Sequence, residues 1–298
     1  LIDLAHQNGV KVLLSASCGQ TNNDICIGFP EMLAAYPERF SDELYNYCIA
    51  YHYDGVDINW EKPSNQNDKS NFTNFIQILS KQLRAANPPL VLTLSVPPFK
   101  YYGQYIDYKA IAGFVDYINV EVYGFHSETS ALSGHNSPLY PYENVSDESV
   151  DEAVNYATQT SNVPPEKLLI GVPFYGVEFE GTETLGTSFE NDYSYPNPYS
   201  SIFDEIDFCI KHWDDKAKVP YLTYDLDGLW LTSYDDPQSI KAKCDYINSK
   251  KINSKQLAGI MIWELTQDHY TNGTPDLLQA IGESFKAIAK PKSVSKTQ

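Results

Sequence analysis

The segment Asp54-Gly-Val-Asp57-Ile-Asn59-Trp-Glu61 gathers four polar side chains into eight residues. On an extended strand alternate residues share a face, so Asp57, Asn59 and Glu61 project one way and Val56, Ile58 and Trp60 the other. Same-face neighbours stand about 7 Å apart. Two carboxyls and an amide at that spacing disfavour full ionisation. Glu61, at the end of the run, is the group placed to keep a proton at neutral pH and to act as a general acid. The same alternation puts Asn119, Glu121 and Tyr123 on one face of a second segment. Gly171, Pro173 and Tyr175 share a face in a third, and Gly259, Met261 and Trp263 in a fourth. Taken singly, the acidic positions also suit a solvated strand end, and Tyr175 or Trp263 a packed core. Polar and aromatic groups converging from several strands go beyond what packing requires.

These side chains need a scaffold of strands, and the sequence supplies one. Apolar, strand-like runs at 11–15, 55–61, 90–96, 117–123, 168–173 and 257–263 alternate with helical stretches at 1–8, 41–51 and 72–86. That alternation predicts an α/β fold with a parallel sheet or barrel, the architecture that keeps its active site at the C-terminal ends of its strands. The interval after Tyr175 is too long for one crossover and rich in Tyr, Asp and Pro. It is expected to hold a small α+β insertion, with a helix at 202–213. The expected domains are therefore 1–176 (first part of the barrel), 177–232 (the insertion), 233–289 (the closing part) and 290–298 (a linker or tail).

Composition narrows the partners. The 42% hydrophobic content suffices for a packed core, and no apolar run reaches the ~18 residues of a spanning helix. Twenty-one basic against 39 acidic residues leave a net charge of −18, which repels phosphate backbones and anionic lipid. Neither nucleic acid nor membrane is expected as a partner. The five cysteines (18, 26, 48, 209, 244) form no CxxC pair and have no histidine cluster beside them, so no structural zinc is expected; disulfides with one spare thiol, or none, remain open. Three N-x-S/T sequons, at Asn71, Asn144 and Asn272, favour a secreted protein.

Asp54, Asp57, Asn59 and Glu61 closely resemble the D-x-x-D-x-D-x-E signature of glycoside hydrolase family 18, the chitinases. The resemblance continues in order through Lys11–Ser15, Gly134–Tyr140, Gly171–Gly176, Ser233–Ile240 and Gly259–Asp268. It implies a (β/α)8 TIM barrel that cleaves β-1,4 links between N-acetylglucosamine units with retention, the substrate's acetamido oxygen being the nucleophile. By position, Glu61 is the acid, Asn59 stands where the family has the Asp that contacts the acetamido N–H, and Asp57 is its partner deeper in the barrel. Ser15 holds Asp57, Tyr123 bonds the acetamido oxygen, Trp263 floors the site and Tyr175 forms a wall. No metal or organic cofactor is implied. The implied partner is chitin or its oligosaccharides, bound by a secreted monomer.

Three departures bear on activity. Asn59 brings no negative charge, Gly124 replaces the Asp of the family's Met-x-Tyr-Asp segment, and Glu121 stands at that segment's Met, where it can restore a charge. The Ser-x-Gly-Gly motif is reduced to Ser15-Ala-Ser-Cys18. A weakened hydrolase and a catalytically silent lectin for N-acetylglucosamine polymers thus compete, and a barrel that inhibits another protein is a third reading with no sequence feature behind it. The chain matches the third to the eighth strand of the family barrel, so it is expected to be an N-terminally shortened piece with unpaired terminal strands.

Overall fold

The computed structural model describes residues 1–17, 28–60, 62–127, 129–142, 148–190, 196–224 and 229–286. Each of the six apolar runs contributes a strand, though with narrower or shifted bounds. The first five are β1 (Leu13–Ser17), β2 (Gly55–Asn59), β3 (Val91–Val96), β4 (Tyr117–Val120) and β5 (Leu168–Pro173). The insertion adds β6 (Tyr175–Glu180), β7 (Asn197–Pro198), β8 (Ile210–Asp214), β9 (Val219–Tyr224) and β10 (Trp230–Ser233). A short pair, β11 (Lys251–Ile252) and β12 (Lys255–Gln256), precedes β13 (Gly259–Trp263). The main sheet has the order β1-β2-β3-β4-β5-β13, with parallel pairing from β1 through β5.

The chain divides into two compact units. The first comprises Leu1–Glu121, Ala153–Ile170 and Lys251–Gly259. Here β2 turns Val56, Ile58 and Trp60 into the core, as the alternation predicts. The Trp60 ring meets Phe29 and Phe72 edge-on at 5.5 and 5.3 Å. Phe72 belongs to a helix, Gln66–Ala85, whose Phe72, Phe75, Ile76, Leu79 and Leu83 repeat at helical spacing and are all fully buried. This helix begins earlier than the expected residue 72 because Asn65 caps it, its side-chain oxygen accepting from the Asn67 and Asp68 amides. Two carboxylates fix where strands start. Asp54 accepts from the Val12 amide at 2.7 Å, and Asp116 from the Leu92 amide at 2.9 Å. Burial works against ionisation of Asp54, but the Val12 amide and the His6 ring together hold its pKa low. The first acid of the motif is thus a structural tie between β1 and β2.

The second unit comprises Val122–Glu152, Gly171–Lys250 and the chain from Ile260 on. Its five-stranded antiparallel sheet has the order β7-β6-β10-β9-β8 and runs from Tyr175 to Ser233, slightly beyond the expected 177–232. The helix expected at 202–213 is not there as such. A helix covers Tyr199–Glu205, and residues 210–214 are strand β8. Turn chemistry overrides the helical pattern: Asp214 Oδ1 accepts from the Lys216 and Ala217 amides, closing a tight turn that pairs β8 with β9. His212 then stacks on Tyr221 at 4.6 Å across the pair. Val172, Phe174, Tyr199, Ile202, Tyr234, Ile240, Cys244 and Leu277 form this unit's core. Cys48, Cys209 and Cys244 are free thiols; Cys18 and Cys26 lie outside the described residues. No helix among the described residues is long and apolar enough to cross a membrane.

Asp214 has a second role. Its Oδ2 lies 3.2 Å from Nε2 of the fully buried His135. Burial pushes the His135 pKa down, so the ring serves as a neutral N–H donor. That hydrogen bond, with the two turn amides, lowers the Asp214 pKa from 3.8 to about 2. The stabilisation is therefore present above pH 4 and lost as pH falls toward 2. Asp214→Asn is expected to cost about 1–2 kcal/mol at pH 7 and almost nothing at pH 2, as measured by denaturant unfolding at both values.

Candidate active site

Parallel register brings the polar residues of the first unit together. Ser15 on β1 pairs in register with Asp57 on β2, Asp57 with Thr93 on β3, and Ser95 with Asn119 on β4. Their side chains close around one carboxylate. Asp57 accepts from Thr93 Oγ1 at 2.5 Å, Ser15 Oγ at 3.2 Å, Ser95 Oγ at 3.2 Å and Asn119 Nδ2 at 3.2 Å. Asn119 also donates to Ser95 Oγ. Burial raises the Asp57 pKa, and the Thr93, Ser95 and Ser15 hydroxyls pull against that rise. None of the four partners is a cation, so they bring neutral dipoles and no countercharge to Asp57.

Asn59 follows Asp57 on the same face and is 9% exposed. Its Nδ2 donates to Glu121 Oε1 at 3.3 Å. β4 ends at Val120, yet the Glu121 amide still bonds the Val96 carbonyl at 3.1 Å, so its backbone stays in the ladder. The sequence-predicted Ser15, Asp57, Asn59 and Glu121 thus share one polar face. Glu61, the expected acid, lies outside the described residues.

In the second unit Tyr123 and Tyr175 meet edge to face, with ring centroids 6.0 Å apart. A polar clamp holds both. Asn136 accepts from the Gly124 amide at 2.8 Å and donates to the Tyr175 carbonyl at 2.9 Å. Next to it Ser137 donates to the Val122 carbonyl at 2.6 Å and receives Lys243 Nζ at 2.8 Å. Lys243 and its ion-pair partner Asp235, 2.7 Å away, are both buried. Gly124 has φ of +69°, the left-handed region where a side chain is strained, which accounts for glycine at this position. Trp263, at the end of β13, leaves 49% of its surface exposed, more than a core residue would. Its carbonyl accepts from the Phe174 amide at 2.7 Å.

Thr93, Ser95, Asn136, Ser137 and Lys243 carry these arrangements; the sequence assigns none of them a role, although Asn136 and Ser137 lie in the Gly134–Tyr140 stretch that resembles a family loop. Thr93 and Ser95 were within reach, since they alternate with buried Leu92, Leu94 and Val96 as Asp57 and Asn59 do with Val56 and Ile58. Lys243 gave no signal, because a lysine on a helix reads as exposed. Among the described residues no group of His, Cys, Asp and Glu is placed to hold a metal ion.

The family model of glycosyl hydrolases family 18 matches residues 1–268. The chain is 31% identical to mouse (Mus musculus) chitotriosidase-1 over 273 residues, covering 81% of this chain and 56% of that protein. It is 30% identical to chitinase A1 of Niallia circulans over 271 residues, covering 79% and 38%. It therefore spans about half or less of the length of these curated relatives. Among solved structures, a Group IV chitinase of Ostrinia furnacalis superposes with TM-score 0.84 at 26% identity, over 96% of this chain and 82% of that one. A family 18 N-acetylglucosaminidase from Paenibacillus barengoltzii gives 0.81 at 26% identity, over 95% and 85%. The likeness makes this an α/β fold of the TIM-barrel kind, to which the described residues contribute six strands.

Two outcomes follow from the clusters. Thr93→Val removes a donor that favours the charged carboxylate, so the Asp57 pKa should rise further, as read by carbon-detected NMR titration. Lys243→Met leaves Asp235 buried and unpaired. It should cost about 3–5 kcal/mol of stability in urea unfolding.

Proposed function

We propose that this chain, which belongs to glycosyl hydrolases family 18, hydrolyses the β-1,4 links of chitin or its oligosaccharides with retention, through the substrate's own acetamido group. Glu61 gives its proton to the glycosidic oxygen as the bond from that oxygen to C1 breaks. The acetamido carbonyl oxygen bonds to C1 and forms a cyclic oxazolinium. Water then attacks C1, passes a proton back to Glu61, and reopens the ring with the anomeric configuration retained. Asn59 accepts the acetamido N–H, Tyr123 bonds the acetamido oxygen, and Asp57 sets the potential beside Asn59. The faces of Trp263 and Tyr175 receive the sugar ring.

Asp57 is the observation that carries this reading. A buried carboxylate held by four neutral donors is costly to build into a strand face and stabilises no ion pair. Such a group suits a site where positive charge develops during reaction. Asn59 favours the second reading, a silent lectin for N-acetylglucosamine polymers, because it adds no charge of its own. Secretion is supported by the sequons: Asn272 is exposed at the turn between paired Tyr270–Thr271 and Thr274–Pro275. Asn71 lies within the helix Gln66–Ala85, and Asn144 is outside the described residues.

Turnover of a fluorogenic N-acetylglucosamine oligomer should be measurable, and Glu61→Gln should reduce it about a thousandfold with affinity changed a few-fold at most. Undiminished turnover in that variant would exclude Glu61 as the acid. Tight binding without turnover in either form would establish the lectin.

A further inference from the structure

We propose that Glu121 is a positioning residue for Asn59: it holds the Asn59 amide so that the amide oxygen, not the amide nitrogen, faces the substrate's acetamido N–H. The inference rests on the reaction proposed above and adds a residue that acts through another. A planar amide has a donor arm and an acceptor arm, and which arm faces the sugar decides whether the contact attracts or repels. A carboxylate is an acceptor, so the contact between Asn59 and Glu121 Oε1 at 3.3 Å commits Nδ2 to the Glu121 side. Oδ1 is left on the other arm, and among the described residues nothing donates to it.

Asn59 is buried enough that water cannot readily take over the orienting role. Asp57 is poorly placed to substitute, because its two oxygens already accept from Ser15, Thr93, Ser95 and Asn119. Glu121 itself is anchored through its amide to the Val96 carbonyl. The pair also explains two departures from the family pattern together. Position 59 has lost the acid and position 121 has gained one, so the charge has moved across a single hydrogen bond. An acid at both positions would set two carboxyls against each other at this distance. A charged acceptor also polarises the amide it holds and makes Oδ1 a stronger acceptor.

Glu121→Gln keeps an acceptor for Asn59, whereas Glu121→Met removes it. Binding of the tetrasaccharides of N-acetylglucosamine and of glucosamine is measured by calorimetry in the Glu61→Gln background, where nothing is cleaved, and turnover in the otherwise intact chain. Glu121→Met should weaken binding of the N-acetylated tetrasaccharide about tenfold, leave the glucosamine one unchanged, and lower kcat about a hundredfold. Glu121→Gln should retain the acetyl preference within about twofold and lose about tenfold in kcat. If the chain binds with this preference but shows no turnover, and Glu121→Met erases the preference, hydrolysis fails as a reading and the positioning role stands. Turnover and preference both unchanged in Glu121→Met would overturn the positioning role. So would equal weakening toward both tetrasaccharides, the sign of a general structural defect, and so would an absence of acetyl preference in the parent.

Discussion

A carboxylate removed from water has to be solvated again by the protein, and the polar face of the first unit is organised around meeting that requirement at Asp57. An unpaired ion in a low-dielectric interior would cost many kcal/mol. The usual remedy, a lysine or arginine beside it, would cancel the charge. Three hydroxyls and one carboxamide are used instead. They favour the charged form without adding a countercharge, and burial still leaves the pKa raised. The strands that supply these donors must be parallel and in one register, since a one-residue slip would turn Thr93 and Ser95 toward the helices. The Asp54 and Asp116 ties at the strand starts fix that register from the opposite end.

The second unit solves a different problem, that of keeping two tyrosines in place, Tyr123 beyond the end of β4 and Tyr175 at the start of β6. Asn136 and Ser137 take over the missing hydrogen bonds of residues 122, 124 and 175, and Lys243 with Asp235 supports Ser137 from below. A buried ion pair is weak evidence of added stability. Here its value is geometric, because the buried Lys243 bonds both Asp235 and Ser137, and Ser137 in turn donates to the Val122 carbonyl. The Gly134–Tyr140 segment, which in the sequence looked like a family loop, is in effect the clamp of the tyrosine pair.

Position 59 shows how a change that looks like decay can leave a site coherent. Asparagine there loses a charge, but it gains a donor arm, and Glu121 is within reach of that arm. The two residues are 62 apart in the chain and belong to β2 and the end of β4, and their side chains meet across the intervening β3. Neither makes sense alone: a carboxylate at 121 beside an aspartate would be repelled, and an asparagine beside methionine would have no fixed orientation.

Much of this was determined by the sequence itself. The six strands followed from apolar runs, and on β2 period-two alternation separated buried Val56 and Ile58 from the polar Asp57 and Asn59. Asp57, Asn59 and Glu121 were therefore recognisable as inward-facing groups, and the motif spacing pointed to the family. The helix at 202–213 was misjudged, because the Asp214 turn is a hydrogen-bonding event that outweighs a short helical pattern. Tertiary structure alone decided which donors reach Asp57, which partner Asn59 faces, and that Lys243 is buried. These are contacts between residues distant in the chain. Alternation says which face a side chain takes, but only strand order and register say what it meets there.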